Sequence, residues 1–419
     1  MGPKADDSDE QRRRKRAYEL EMLARRCRSD EHSDPTAWEA GPMSLDLARE
    51  VWTQYQRHVH TTETRQRKHA AARSTEPSIR ASDARSTPHI VRTRHVHWWA
   101  WILLAVVVPF LLHFGLRLSD AEQPDAVLPP LEVHTFGLPA SAPGAKVMVL
   151  LGGWPDTHDM WRKQADAFAN EYHLVSLATP DFDRPRLRRP WGYNFTEVPI
   201  MIARALDAHL GPLRRIDVLV AHDWGALWAY YLLDNALRGR VAKLVAVDIG
   251  ASARDDSILG VPGISHVGGM LWSIPYQWLC GGLFAIGAGL SPWLADALVG
   301  LAWPLVPYVG PMGGGFVWGV HAPRPQQQVK WWMGYPYYHL WRSHRLFGQS
   351  LPTPAFPAVP TLFLYGARKR VMFHSTAFEA RINRTAGSRT VRYDDCGHWL
   401  MHEQPACFAR DIGSFLLEP

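Results

Sequence analysis

Residues 216–237 read IDVLVAHDWGALWAYYLLDNAL. Six residues of strand character run into Ala221-His222-Asp223-Trp224-Gly225, and an apolar helical stretch follows. A strand that turns sharply into a helix needs small residues two positions either side of the turn residue, because backbone and helix approach closely there. Ala221 and Gly225 meet that need around Asp223. An aspartate capping an ordinary helix is the plainer reading of this residue. What lies on either side of the turn argues against it. From about residue 131 short apolar runs alternate with helical stretches, the signature of a parallel sheet covered on both faces. Strands are expected at 131–136, 146–151, 172–178, 216–221, 243–248, 361–366 and 389–393. Helices are expected near 159–170, 196–210, 226–238, 374–383 and 405–416. The alternation stops between about 255 and 355, where Asp296 is the one charged residue from Trp272 to Val320. That Gly-, Pro- and Trp-rich stretch is expected to form a mainly helical, lipophilic cap. A second membrane span is the rival reading for part of it.

Two further segments stand in the slots where such a sheet gathers its chemistry. Gly152-Gly153-Trp154-Pro155-Asp156 follows the strand at 146–151, and Cys396-Gly397-His398-Trp399 with His402-Glu403-Gln404-Pro405 follows the last strand. Together with His222-Asp223-Trp224-Gly225 they resemble, in order, the oxyanion loop, catalytic-histidine segment and nucleophile motif of epoxide hydrolases and haloalkane dehalogenases. Gly152 replaces the usual histidine of the oxyanion loop. The resemblance covers about residues 131–419. It implies an α/β-hydrolase fold with core segments 126–254 and 356–419 around a cap at 255–355. It also implies Asp223 as nucleophile, His398 as the base for water, and the backbone N–H groups of Trp154 and Trp224 as the oxyanion hole. A carboxylate is ionised at neutral pH and needs no base to become a nucleophile. No Gly-X-Ser-X-Gly stands at the turn, which argues against a serine esterase.

The third triad member is less direct. In these families an acid commonly follows the strand at 361–366, yet here Gly366-Ala367-Arg368-Lys369-Arg370 holds no carboxylate. Some dehalogenases place the acid at the end of the preceding strand, and Asp248 occupies that position. A structural aspartate bonding loop amides is the alternative for Asp248, and Asp394 and Asp395 are weaker candidates for the acid. For the reaction, related epoxide hydrolases protonate the leaving oxygen with two cap tyrosines. Tyr276, in Ile274-Pro275-Tyr276-Gln277, resembles the first; Tyr335, Tyr337 and Tyr338 compete for the second. A dehalogenase would instead hold halide on Trp224 and another indole. A catalytically impaired ligand-binding protein stays open as a third reading. The expected partner is a small lipophilic substrate; no cofactor, metal or nucleic acid is implied.

The N-terminal quarter has a different character. Residues 1–97 carry 19 Lys/Arg against 15 Asp/Glu and few aliphatic side chains, too little apolar surface to offset ordering entropy, so a disordered basic tail is expected. Trp98 to Leu116 (WWAWILLAVVVPFLLHFGL) contains no Lys, Arg, Asp or Glu, and as a helix spans about 28 Å. A transmembrane helix at 98–118 is expected. Arg85, Arg92 and Arg94 lie before it and Asp120, Glu122 and Asp125 after it, which places the N-terminus in the cytosol and the hydrolase domain in a lumen or outside. Asn194-Phe-Thr196 and Asn383-Arg-Thr385 are glycosylation sequons usable on that side. The four cysteines show no metal-type spacing and no dense disulfide pattern.

Overall fold

The computed structural model describes residues 127–251, 267–302, 329–342, 354–369 and 372–418, with backbone alone over 267–275 and at 302. The basic tail and the span at 98–118 lie outside the described residues. The chain divides into units 1–96 and 97–419, and every described residue belongs to the second.

Seven strands form one sheet: β1 (His134–Gly137), β2 (Lys146–Leu151), β3 (Tyr172–Leu177), β4 (Ile216–His222), β5 (Val241–Val247), β6 (Thr361–Gly366) and β7 (Arg389–Tyr393). Their spatial order is β1-β3-β2-β4-β5-β6-β7, with β1 antiparallel to β3 and all other pairs parallel. The sequence explains this. β3 and β6 are buried along their whole length and β2 everywhere except Lys146, as continuous apolar runs must be when helices cover both faces. β1, at the edge, alternates in burial instead. Side chains such as Val218 and Leu219 are completely buried, each stabilising the fold by about 1.5–3 kcal/mol relative to exposure. Truncating Leu219 to alanine should cost about 2–5 kcal/mol.

The helices that flank the core strands are α1 (Arg162–Phe168), α2 (Glu197–Leu210), α3 (Trp224–Asp234), α7 (Thr376–Arg384), α8 (Leu400–Glu403) and α9 (Pro405–Leu417). α2 buries Val198, Met201, Ile202, Ala205 and Leu206, the stripe that a 3.6-residue period presents to a sheet. Between β5 and β6 the chain inserts α4 (Val267–Gly289), α5 (Pro292–Ala302), a short 3-10 helix (Trp331–Gly334) and α6 (Tyr335–His339). α4 packs on α5, α6 and the 3-10 helix. Among the described residues no helix is long and apolar enough to cross a membrane.

Boundaries shift slightly from expectation. β1 begins at His134 rather than 131, where pairing with Ser176 of β3 starts. α3 begins at Trp224 and stops at Asp234, because Asn235 leaves helical geometry. The chain runs from β2 to β3 on one side and returns to β4 on the other, so the order reverses between β2 and β4. The crevice beyond the carboxyl ends of strands at such a reversal is where open α/β sheets bind ligands.

Candidate active site

Asp223 stands at that crevice, between β4 and α3, with φ 54° and ψ −125°. A non-glycine residue at positive φ is costly, about 1–3 kcal/mol, and persists only where the surroundings over-determine it. Here they do. A Cβ on Gly225 would lie 2.5 Å from the Leu151 carbonyl oxygen of β2, so only glycine lets the helix start this close to the sheet. The turn thereby lifts the Asp223 carboxylate toward the loop after β2. The Trp154 N–H donates to Asp223 Oδ2 at 2.7 Å. Trp224 opens α3, so its backbone N–H is one of the donors a helix start leaves without an intrahelical partner.

His398 is fully buried, with Nε2 3.5 Å from Asp223 Oδ1 and Nδ1 hydrogen-bonded to Asp248 Oδ2. Asp248 leaves β5 at φ 70°, which swings its side chain under the imidazole. Its other oxygen accepts from the Gly366 N–H at 3.3 Å and from the Lys369 ammonium. Burial alone would lower the His398 pKa; Asp248 and Asp223 overcome it and raise it to about 9. Burial alone would raise Asp223, but His398, His222 and the Trp154 N–H hold its pKa below the ordinary value. Asp248 is likewise held below its ordinary value, chiefly by Lys369 and His398 against the effect of burial. Asp394 and Asp395 do not enter this cluster: both are exposed, and Asp394 pairs with Arg392 at 2.7 Å.

Two supports were not apparent from sequence. The first is Lys369, read there only as part of a cationic loop without a carboxylate. Its side chain is completely buried on Asp248. The second is a polar layer beneath the histidine loop. His222 Nε2 bonds the His398 carbonyl at 3.0 Å, and the Trp399 indole donates to the buried Asp156 at 2.8 Å. Both His222 and Asp156 lie inside motifs already quoted, but nothing in their spacing shows that they face the His398 loop.

Of the four tyrosines considered in the insertion, the structure brings two together. Tyr276 of α4 and Tyr337 of α6 are buried with their hydroxyls 2.6 Å apart. Both rings pack edge-on against Trp154, at 5.4 and 5.7 Å, and Tyr337 packs against Trp224 at 5.3 Å. Burial raises both phenols well above their usual pKa, and the Asp223 charge adds to that. The Trp224 indole N–H opposes the rise at Tyr337 without closing a hydrogen bond of good geometry. Tyr335 is not part of this pair. Two residues before Tyr337 in α6, it projects about 200° around the helix, and its hydroxyl donates to the Pro180 carbonyl at 3.2 Å. Tyr338 stacks on Trp191 instead.

Residues 148–410 match the alpha/beta hydrolase family, and the chain belongs to it. The chain is also similar to Epoxide hydrolase 3 of Xenopus tropicalis, 26% identical over 289 residues, 65% of this chain and 71% of that protein. Among solved structures it resembles an epoxide hydrolase found in metagenomes from hot environments, with TM-score 0.50 and 19% identity over 69% of this chain and 95% of that one. A haloalkane dehalogenase variant from Bradyrhizobium elkanii matches at TM-score 0.47 and 17% identity, over 68% of this chain and 91% of that one. The chain is thus an alpha/beta hydrolase, similar in sequence to an epoxide hydrolase.

Proposed function

We propose that this member of the alpha/beta hydrolase family opens lipophilic epoxides through an ester on Asp223. The observation that carries the reading is the Tyr276–Tyr337 hydroxyl pair, close enough to Asp223 to feel its charge. An epoxide oxygen held by those two phenols needs a proton as its C–O bond breaks. Burial keeps both phenols protonated at neutral pH, so the proton is available.

In the first step Asp223 Oδ1, the oxygen not held by the Trp154 N–H, attacks a ring carbon. The ring C–O bond breaks and a tyrosine gives its proton to the departing oxygen, leaving an ester and a phenolate. Forming the ester removes the Asp223 charge, one of the two that keep the His398 pKa high. The imidazole pKa falls, His398 gives its proton up to the tyrosine phenolate, and it becomes a base when one is required. Its Nε2 has no hydrogen bond of its own and faces the ester. His398 takes a proton from water, whose oxygen attacks the Asp223 carboxyl carbon. Charge gathers on Oδ2, where the Trp154 N–H donates, and the Trp224 N–H is its expected companion. Collapse expels the diol's second oxygen, which His398 protonates; the Asp223 carboxyl then returns a proton to His398, restoring the resting charges. Water and epoxide become a diol.

We read the inserted segment 255–355 as a cap over this site, lining it with aromatic side chains suited to an apolar substrate. The chain is proposed to be anchored by residues 98–118, with the tail cytosolic and the catalytic domain lumenal. Mass at Asn194 or Asn383 that a glycosidase removes supports that topology; digestion of the domain from the cytosolic side of sealed vesicles overturns it.

The chemistry is tested by a single turnover in oxygen-18 water. The product's new oxygen should come from Asp223 and stay unlabelled; label in that first product excludes the ester. Tyr276→Phe and Tyr337→Phe should each slow epoxide opening by about 100-fold or more, as loss of a general acid does. A dehalogenase reading draws on the buried Trp224 indole N–H, a donor that a halide would satisfy. Halide release from haloalkanes, unaffected by the Tyr276→Phe change, would favour it. The ligand-binding reading rested on the missing carboxylate after β6, and the contact of Asp248 with His398 leaves it without an observation in its favour.

A further inference from the structure

At the opposite edge of the sheet from β7, three residues from separate segments meet: His134 of β1, His158 of the 3-10 helix His158–Trp161 after β2, and Asp183 beyond β3. We infer that they form a binding site for a divalent transition metal of the zinc class. One ligand atom from each lies within 4.8 Å of the other two. His158 Nδ1 is 3.2 Å from Asp183 Oδ1, and His134 Nε2 is 3.7 Å from Asp183 Oδ2. A tetrahedral ion with bonds of about 2.0–2.1 Å sets its ligand atoms about 3.3–3.4 Å apart, close to both of these distances to Asp183.

The two ring nitrogens are buried, yet neither has a hydrogen-bond partner. Buried polar atoms in a folded protein are rarely left so, and here both are turned toward the same carboxylate. The far side of His158 adds to this. Its Nε2 lies 3.5 Å from Asp159 Oδ1, an oxygen that also accepts from Arg162 at 2.8 Å; a carboxylate on that side of the ring orients a metal-bound imidazole in many sites. The rings are stacked 3.4 Å apart and 5° from parallel, so their in-plane lone pairs converge on one ion only after a ring turns. The χ2 torsion of histidine is broad and permits that. Two imidazoles and one carboxylate suit zinc or its neighbours better than calcium or magnesium, which take mostly oxygen ligands. Partial exposure of the three side chains leaves room for a water as fourth ligand.

Such an ion would tie the edge strand to the loop that follows the oxyanion motif and to the loop after β3. The latter touches the insertion, since Trp332 donates to the Asp181 carbonyl at 3.3 Å. The site is independent of the proposed reaction, so failure of either leaves the other standing.

The test uses full-length protein stripped with a chelator and titrated with Zn2+ against a competing indicator, and with Co2+ for its visible spectrum. Wild type should hold one more tight equivalent than His134→Gln, His158→Gln or Asp183→Asn. Removing a supporting residue outside the ligand set costs about 10–100-fold in affinity, so each ligand substitution should cost at least that. Zn2+ should raise the melting temperature of wild type and not of the variants. His134→Cys supplies another zinc ligand and should restore binding, which separates lost ligation from lost folding. Equal stoichiometry and equal thermal response in wild type and all variants, with weak binding by tail histidines only, overturns the site.

Discussion

The ends of β5 and β6 are neighbours in the sheet, with Val247 paired to Leu364, and they carry opposite charges to the same histidine. β5 ends in Asp248, whose carboxylate holds His398 Nδ1. β6 ends in Gly366, and three residues on Lys369 turns its ammonium onto Asp248. The relatives that this chain resembles commonly place the acid after the strand that is β6 here. In the proposed mechanism the acid's duty belongs to whatever carboxylate reaches Nδ1, not to a position in the chain. The difference also shows what a relocated acid requires. Asp223 and Asp248 are two buried carboxylates; His398, held protonated, and Lys369 balance them. Buried charges persist when paired and are costly when not, so the cation after β6 keeps the cluster neutral. Gly366 belongs to the same arrangement. A Cβ there would press into the carbonyls of Cys396 and Gly397, and its N–H is spent on Asp248.

Removing the β5 charge should have the largest effect. Asp248→Asn leaves His398 without the carboxylate that orients it, and turnover should fall by about 10,000-fold, with the Asp223 ester accumulating in the mass spectrum of quenched enzyme. Near-normal turnover would return the acid's role to another residue and leave Asp248 a structural aspartate. Removing the β6 charge should act mainly on stability. Lys369→Met breaks a buried pair, a change that costs about 3–5 kcal/mol when the remaining charge is left alone. Asp248 keeps His398 and the Gly366 N–H, so the lower end is expected from denaturant unfolding. Combining it with Asp248→Asn should cost less than the two separate losses together; strict additivity would show the two strand ends to be uncoupled.

The smallest effect concerns pH. Without Lys369, Asp248 acts on His398 undiluted, so the rate of ester hydrolysis in Lys369→Met should need a higher pH, by about one unit. An unmoved profile would mean that the ammonium does not temper the acid. In the resting enzyme, the His398 pKa is raised from 6.5 to about 9. A raised pKa means the folded state holds the proton more tightly, so this contribution to stability is complete below about pH 6.5 and is lost as pH rises through about 9. His398→Gln should flatten the fall in stability over that window; an unchanged slope would assign it to other groups.

Much of the frame was legible because its signals are local. Apolar runs such as KVMVLL and TLFLYG are strands wherever helices cover both faces, and the observed β2 and β6 keep the expected bounds. The small residues around Asp223 record a steric demand of the turn itself. Tyr335 and Tyr337 were indistinguishable in sequence, because the start of α6 decides which of two nearby tyrosines faces Tyr276. That start depends on Pro336 in its first turn and on packing against α4.

By itself, the sequence determined the order of strands and helices, the elbow at Asp223 and the place of His398 after the last strand. Each is written in neighbouring residues, through periodicity or a turn's need for small side chains. Only the tertiary structure decided that Asp248 meets His398 across 150 positions, that Lys369 balances its charge across 121, and that His134, His158 and Asp183 converge. Those pairings follow from which strands lie side by side and how deeply their ends are buried. Charge far apart in the chain carries no local mark of the partner it will meet.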